Sequence, residues 1–176
     1  MVFSNKIVIN IDYLGDERTG DGMESDYSAQ INAYSSYLHE WNASYEEYAK
    51  SVGLSFTSLT ILCAIYRMER CTQKLLCEQC FLPKQTVNAA VTAFYKKGWV
   101  RLEELPEDRR NKTIHFTELG RTEAERILSK VRQSEQTAMG SLTEEERRIL
   151  LSATRRYVTG CKAVLKGLKE SPDTAQ

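Results

Sequence analysis

Apolar positions along the chain change their spacing at a few points, and those changes mark out the elements. Ile31, Tyr34, Leu38, Trp41, Tyr45 and Tyr48 step by three or four residues, so they share one face of an amphipathic helix over residues 24–51. Gly53 breaks that pattern. Phe56, Leu59, Leu62, Cys63 and Tyr66 define a second helix behind Ser55 as N-cap, and a short third helix spans 72–80 with Thr72 as its cap. Pro83 is expected as the first helical residue of a fourth helix, 83–97, because its missing N–H has no intrahelical partner there. Val87, Ala90, Val91 and Phe94 form the buried face of that helix, and Gly98 suits the left-handed position that closes it.

The spacing then shortens. Trp99-Val100-Arg101-Leu102 and Thr113-Ile114-His115-Phe116 read as two strands joined by the charged loop Glu103–Lys112, a hairpin with a long tip. Thr117-Glu118-Leu119-Gly120 opens a fifth helix reaching about Ala138. Ser141 with Glu144 and Thr143 with Glu146 form overlapping capping-box patterns before a sixth helix that ends near Leu168. This order predicts a mainly α chain with a small β-hairpin wing, a winged helix-turn-helix with flanking dimerisation helices. The expected divisions are an N-terminal appendage without regular structure (1–22), the first helix of the dimerisation region (23–54), the winged helix-turn-helix (55–117), C-terminal dimerisation helices (118–170) and a tail (171–176).

Composition changes this picture little. The 176 residues carry 41% apolar and 27% charged side chains, ordinary for a globular domain. No apolar run reaches the length of a membrane span, and Ile7–Ile11 lacks the basic leader and cleavage site of a signal peptide, so a cytoplasmic protein is expected. The five cysteines are then expected as reduced thiols. Formal net charge is zero, but its distribution is uneven. Between Lys84 and Lys112 lie seven Lys or Arg against four Asp or Glu, a local excess that can meet phosphates. No glycine-rich phosphate loop or metal-ligand motif exists, and the two histidines, His39 and His115, are isolated; neither an enzyme nor a cofactor is expected.

Three stretches stand in fixed register: Lys96-Lys97-Gly98-Trp99-Val100, Pro106-Glu107-Asp108-Arg109-Arg110-Asn111-Lys112, and Phe116-Thr117-Glu118-Leu119-Gly120-Arg121. With the element order they resemble the MarR family of bacterial transcriptional regulators, over residues 24–168. The resemblance implies a homodimer, formed by the first, fifth and sixth helices, that represses transcription from pseudo-palindromic operators. It also implies a small aromatic or phenolic effector bound between the dimer region and the winged domain.

The residues of the fourth helix support a DNA partner independently. Opposite Val87 and Phe94 lie Gln85, Ala89, Thr92 and Lys96, with Thr86 and Asn88 on the flank. Amides pair with adenine, and small methyls meet the thymine methyl, so this helix is expected in the major groove. No Arg or Lys lies between Gln85 and Tyr95, and Ala89 stands where the family often has arginine, so an A/T-rich half-site is expected. Lys84 and Lys96 are placed on phosphates. In the wing, 103–112, Arg109 resembles the family arginine that enters the minor groove; Asp108 would orient it, and Arg110 and Lys112 would hold phosphates. A plain solvated helix face and a charged loop are the alternative readings.

Tyr34, Tyr37, His39, Trp41, Tyr45 and Tyr66 are candidates for the effector pocket, against ordinary core packing. Cys77 and Cys80 form a C-x-x-C with no fourth metal ligand nearby, leaving small core side chains or a thiol redox sensor. A winged-helix module that binds protein and not DNA is the competing function, favoured by the zero net charge.

Overall fold

The computed structural model describes residues 22–105 and 108–170. The elements are α1 (Gly22–Ser51), α2 (Phe56–Arg67), β1 (Cys71–Thr72), α3 (Gln73–Cys80), α4 (Lys84–Lys96), β2 (Val100–Leu105), β3 (Asp108–Phe116), α5 (Glu118–Gly140) and α6 (Glu144–Glu170). They form two compact units that divide within α5, after Leu128. The expected helices and hairpin are present. Of the expected appendage, only Gly22 falls within the described residues, as the start of α1. No single helix among the described residues is long and apolar enough to cross a membrane.

Local chemistry explains the helix starts. The Ser55 hydroxyl accepts the Ser58 N–H at 3.1 Å, and the Thr72 hydroxyl accepts that of Leu75 at 3.2 Å, satisfying donors that α2 and α3 would otherwise leave open. Pro83 differs from its expected place. Its extended backbone (φ −59°, ψ 146°) puts it at the N-cap of α4, where its carbonyl accepts the Val87 N–H at 3.1 Å. Proline fits there for a reason related to the one expected: the N-cap needs this φ and no donor. The turn before it is tight. Phe81 takes a left-handed conformation (φ 54°, ψ 40°), which glycine adopts more cheaply by roughly 1 kcal/mol.

The wing is more regular than its polarity suggests. The strands extend well into the expected loop, pairing Glu103 with Thr113, Glu104 with Lys112 and, past a bulge, Leu105 with Asp108. Exposed antiparallel ribbons need no apolar alternation, because cross-strand charge pairs such as Lys112–Glu104 (3.3 Å) hold them as well. A third strand joins this hairpin, giving sheet order β1-β3-β2. Cys71 faces Ile114 and Thr72 faces Thr113. Two residues are too few to show a period, and Thr72 already reads as a cap.

The core of the first unit gathers Leu59, Ile61 and Leu62 of α2, Leu76 of α3, Val87, Val91 and Phe94 of α4, Val100 of β2 and Ile127 of α5, all nearly inaccessible. Trp99 stacks on Phe94 at 5.7 Å, with the Lys97 ammonium 4.7 Å over its ring. The Tyr48 hydroxyl donates to the Ile127 carbonyl at 2.7 Å, tying α1 to α5.

One junction joins α4, the wing and α5. The Thr117 hydroxyl donates to the Gly98 carbonyl at 2.6 Å and accepts the Gly120 N–H at 3.0 Å, while the Thr117 N–H donates to the Trp99 carbonyl at 3.0 Å. Gly120 lies against that carbonyl so closely that a Cβ would sit 1.7 Å from its oxygen. In the second unit, Thr143 and Glu146 form the expected capping box: Glu146 N–H to the Thr143 hydroxyl at 3.2 Å, and Thr143 N–H to the Glu146 carboxylate at 2.7 Å. These bonds hold the Glu146 carboxyl below its usual range. Ser141 does not form the other box. Its hydroxyl donates to the Ala138 carbonyl at 2.8 Å and closes the end of α5 instead.

Gly120→Ala is expected to destabilise the protein by about 3 kcal/mol or more, since backbone must move to admit the methyl group. Urea unfolding of the variant against the parent chain measures this; a shift within about 0.5 kcal/mol would mean that the approach is relieved at no cost.

Candidate nucleic-acid interface

Helix α4 divides sharply into two faces. Val87, Ala90, Val91 and Phe94 are buried, while Lys84, Gln85, Asn88, Ala89, Thr92 and Lys96 are exposed and Thr86 is half-buried. The apolar side anchors the helix, leaving a row of amides, a hydroxyl, a methyl and terminal lysines toward solvent. The Gln73 amide on α3 donates to the Asn88 side-chain oxygen at 3.4 Å, a long contact that leaves most of the amide's capacity open. Tyr95, 56% exposed near the end of α4, lies outside the set expected from sequence.

The wing stands beside this helix. Lys112 is exposed and paired with Glu104, whereas the side chains of Asp108, Arg109 and Arg110 lie outside the described residues, their backbone being part of β3. Arg101, Glu103 and His115 form a polar cluster on the sheet: Arg101 to Glu103 at 2.7 Å and His115 to Thr113 at 2.9 Å. A cleft of about 530 Å³ opens between α3, the start of α4 and the wing, lined in part by Lys74, Cys77, Lys84, Leu102 and Lys112. Sequence reasoning missed Gln73 and Lys74. A signal exists: lysine in the first turn of a helix opposes the macrodipole, so its presence there asks for another reason.

Against this geometry, residues 52–111 match the model of the MarR family. The HTH-type transcriptional regulator SarZ of Staphylococcus epidermidis is 31% identical over 115 residues, 65% of this chain and 76% of that relative. The chain belongs to the MarR family. Solved structures show the same fold at lower identity. The MarR family regulator NMB1585 of Neisseria meningitidis superposes with a TM-score of 0.67 at 17% identity, covering 78% of this chain and 97% of that one. BpsR of Bordetella bronchiseptica, whose DNA binding is regulated by 6-hydroxynicotinic acid, superposes with a TM-score of 0.59 at 18% identity over 80% and 97% of the two chains. Family membership points to a transcriptional regulator and not to an enzyme.

The aromatic candidates of this MarR-family chain fall into separate groups. Trp41 and Tyr45 meet edge to face at 5.6 Å, and Tyr45 meets Phe56 of α2 at 6.4 Å. Tyr34 and Tyr37 share the same side of α1, Tyr37 being 67% exposed, while His39 lies on the opposite side. Tyr66 stands apart on α2, over Phe116 at 6.2 Å, and its hydroxyl donates to the Glu125 carboxylate.

The cysteines differ in access. Cys63, Cys71 and Cys80 are buried, Cys77 is half-buried and Cys161 exposed. Burial, with Cys80 nearby, pushes the Cys71 thiol up to about 12, and burial beside Cys77 pushes the Cys80 thiol upward as well. Raised thiols are poorer nucleophiles.

Native protein at pH 8 is expected to be alkylated by iodoacetamide at Cys77 and Cys161, with Cys71 and Cys80 reacting only after unfolding in urea; peptide mass spectrometry reads the sites. A second expectation concerns pH. Below the ordinary thiol value of 9.0 both states keep the Cys71 proton, and above it only the unfolded chain loses it, so stability falls as pH rises toward about 12. Cys71→Ala should flatten that fall in pH-dependent urea titrations; identical slopes would count against the burial of a protonated thiol.

Proposed function

We propose that this MarR-family regulator is a homodimeric, ligand-responsive repressor that binds a pseudo-palindromic, A/T-rich operator. The observation that carries the reading is the solvent face of α4. A helix anchored by Val87, Val91 and Phe94 offers Gln85, Asn88, Ala89 and Thr92 outward, between Lys84 and Lys96. Ordinary solvated faces are rich in paired charges, whereas this one holds the groups that read adenine and the thymine methyl. Helix 83–97 enters the major groove and the wing, 103–112, the minor groove. There Arg109 is attracted by the narrow A/T groove, Asp108 orients it, and Arg110 and Lys112 meet phosphates.

The apolar residues of α6 support the dimer. Leu150, Tyr157 and Val164 recur at intervals of seven, Leu151 and Leu165 lie fourteen apart, and these residues are 44–65% exposed in the single chain. A solvated helix does not carry such a stripe without a partner, and a second copy places two recognition helices about 34 Å apart, one turn of DNA. The effector is a small aromatic acid, a reading supported by the 6-hydroxynicotinic acid of BpsR, with Tyr34, Tyr37, His39, Trp41, Tyr45 and Tyr66 as its candidate contacts. The competing reading, a protein-binding module, draws on the zero net charge.

Fluorescence anisotropy with DNA from upstream of the protein's own gene separates the two. Tight binding should weaken steeply with salt as counterions are released, and Arg109→Ala should lower the salt slope by about one unit. Salt-independent or sequence-blind weak binding would favour a protein partner. Leu165→Glu should shift the protein from dimer to monomer in sedimentation velocity and weaken operator binding with it; a dimer unchanged by this substitution would remove α6 from the interface.

A further inference from the structure

Asn88 lies on the exposed face of α4, and its amide is engaged from a neighbouring helix. The Gln73 amide nitrogen, in the first turn of α3, donates to the Asn88 side-chain oxygen at 3.4 Å. A carboxamide is planar, with oxygen and nitrogen leaving one carbon in different directions, so an oxygen held toward α3 turns the amino group away from it. The surroundings favour that sense over its reverse. The start of α3 is the positive end of the helix, and Lys74 adds a full charge one residue on. An amide oxygen gains from facing that end, and an amino group loses. Asn88 thus presents two N–H donors away from α3, where a freely turning asparagine offers donor and acceptor alike.

The distinction matters in the major groove. Adenine uses both halves of an amide, an acceptor for its N6 amino group and a donor for N7. Thymine O4 only accepts, and the cytosine N4 amino group only donates. Donors alone therefore match thymine and oppose cytosine. Ala89, the exposed neighbour of Asn88, carries the kind of methyl that meets the thymine C5-methyl group beside that same O4. We propose that Gln73 is a positioning residue that fixes the polarity of the Asn88 amide, and that Asn88 so held reads the O4 of a thymine and not an adenine. The second half rests on the DNA-binding reading above and narrows the role of one amide within it.

Fluorescence anisotropy with the full chain tests this on operator duplexes in which each T·A pair of the half-sites is replaced in turn by 5-methylcytosine paired with guanine. The replacement keeps the C5-methyl group and exchanges the O4 acceptor for an N4 donor. One position should lose about tenfold in affinity, and Asn88→Ala should abolish the loss at that position. There Gln73→Lys, which can only donate, should keep the thymine preference. Gln73→Glu, which can only accept, should turn the amide over and reverse it, so that 5-methylcytosine binds about tenfold tighter than thymine. Each preference is a ratio of two affinities for one variant, so the charge added at position 73 acts on both duplexes alike and cancels. A purely structural role for Gln73 would weaken both duplexes together. A thymine preference unchanged by Gln73→Glu, or no position at which Asn88→Ala acts, would overturn the assignment while DNA binding stands. A parent chain that binds every duplex with equal weakness would remove the DNA-binding reading, and the role of Asn88 with it.

Discussion

A single hydroxyl sets the geometry on which the α4–wing surface depends. Thr117 donates to the carbonyl at the end of the α4 turn and accepts the N–H of Gly120, so the last residue of the hairpin, the close of α4 and the first turn of α5 share one hydrogen-bonded knot. The absent side chain at position 120 lets the backbones touch. Helix and wing are thus tied to one another through one hydroxyl and the backbone groups it bridges. Phe94 and Trp99 add a stacked apolar base to the same corner.

Much of the fold was legible because it rests on local rules. Ser55 and Thr72 announce their helices by chemistry that acts over three residues, and the 87-90-91-94 stripe of α4 follows from helical period alone. The departures have equally physical origins. Strands in the wing outran the apolar pattern because charged cross-strand pairs hold an exposed ribbon. Strand β1 had no period to show. Pro83 sits one position earlier than expected because an N-cap and a first helical residue make the same demand on φ. Ser141 and Thr143 offered two overlapping boxes, and only geometry could choose between them.

The candidate site was legible in part. Residues of α4 could be assigned to a face because one helix defines its own inside and outside. The cleft could not be, since Lys74, Lys84, Leu102 and Lys112 come from four elements and meet only through the tertiary fold. The same limit applies to the aromatic residues of α1 and α2, whose helical spacing describes a stripe but not what that stripe faces. Charge behaves similarly. A net total of zero conceals the local excess of Lys and Arg between Lys84 and Lys112.

The short strand β1 has a mechanical consequence. Strand β3 pairs on one side with β2 and on the other with Cys71 and Thr72, and the hydroxyl of that same Thr72 holds the first turn of α3. A slip of the wing by one residue would therefore break two ladders and uncap a helix in a single movement. The hairpin is held lengthwise by its pairing on both sides of β3.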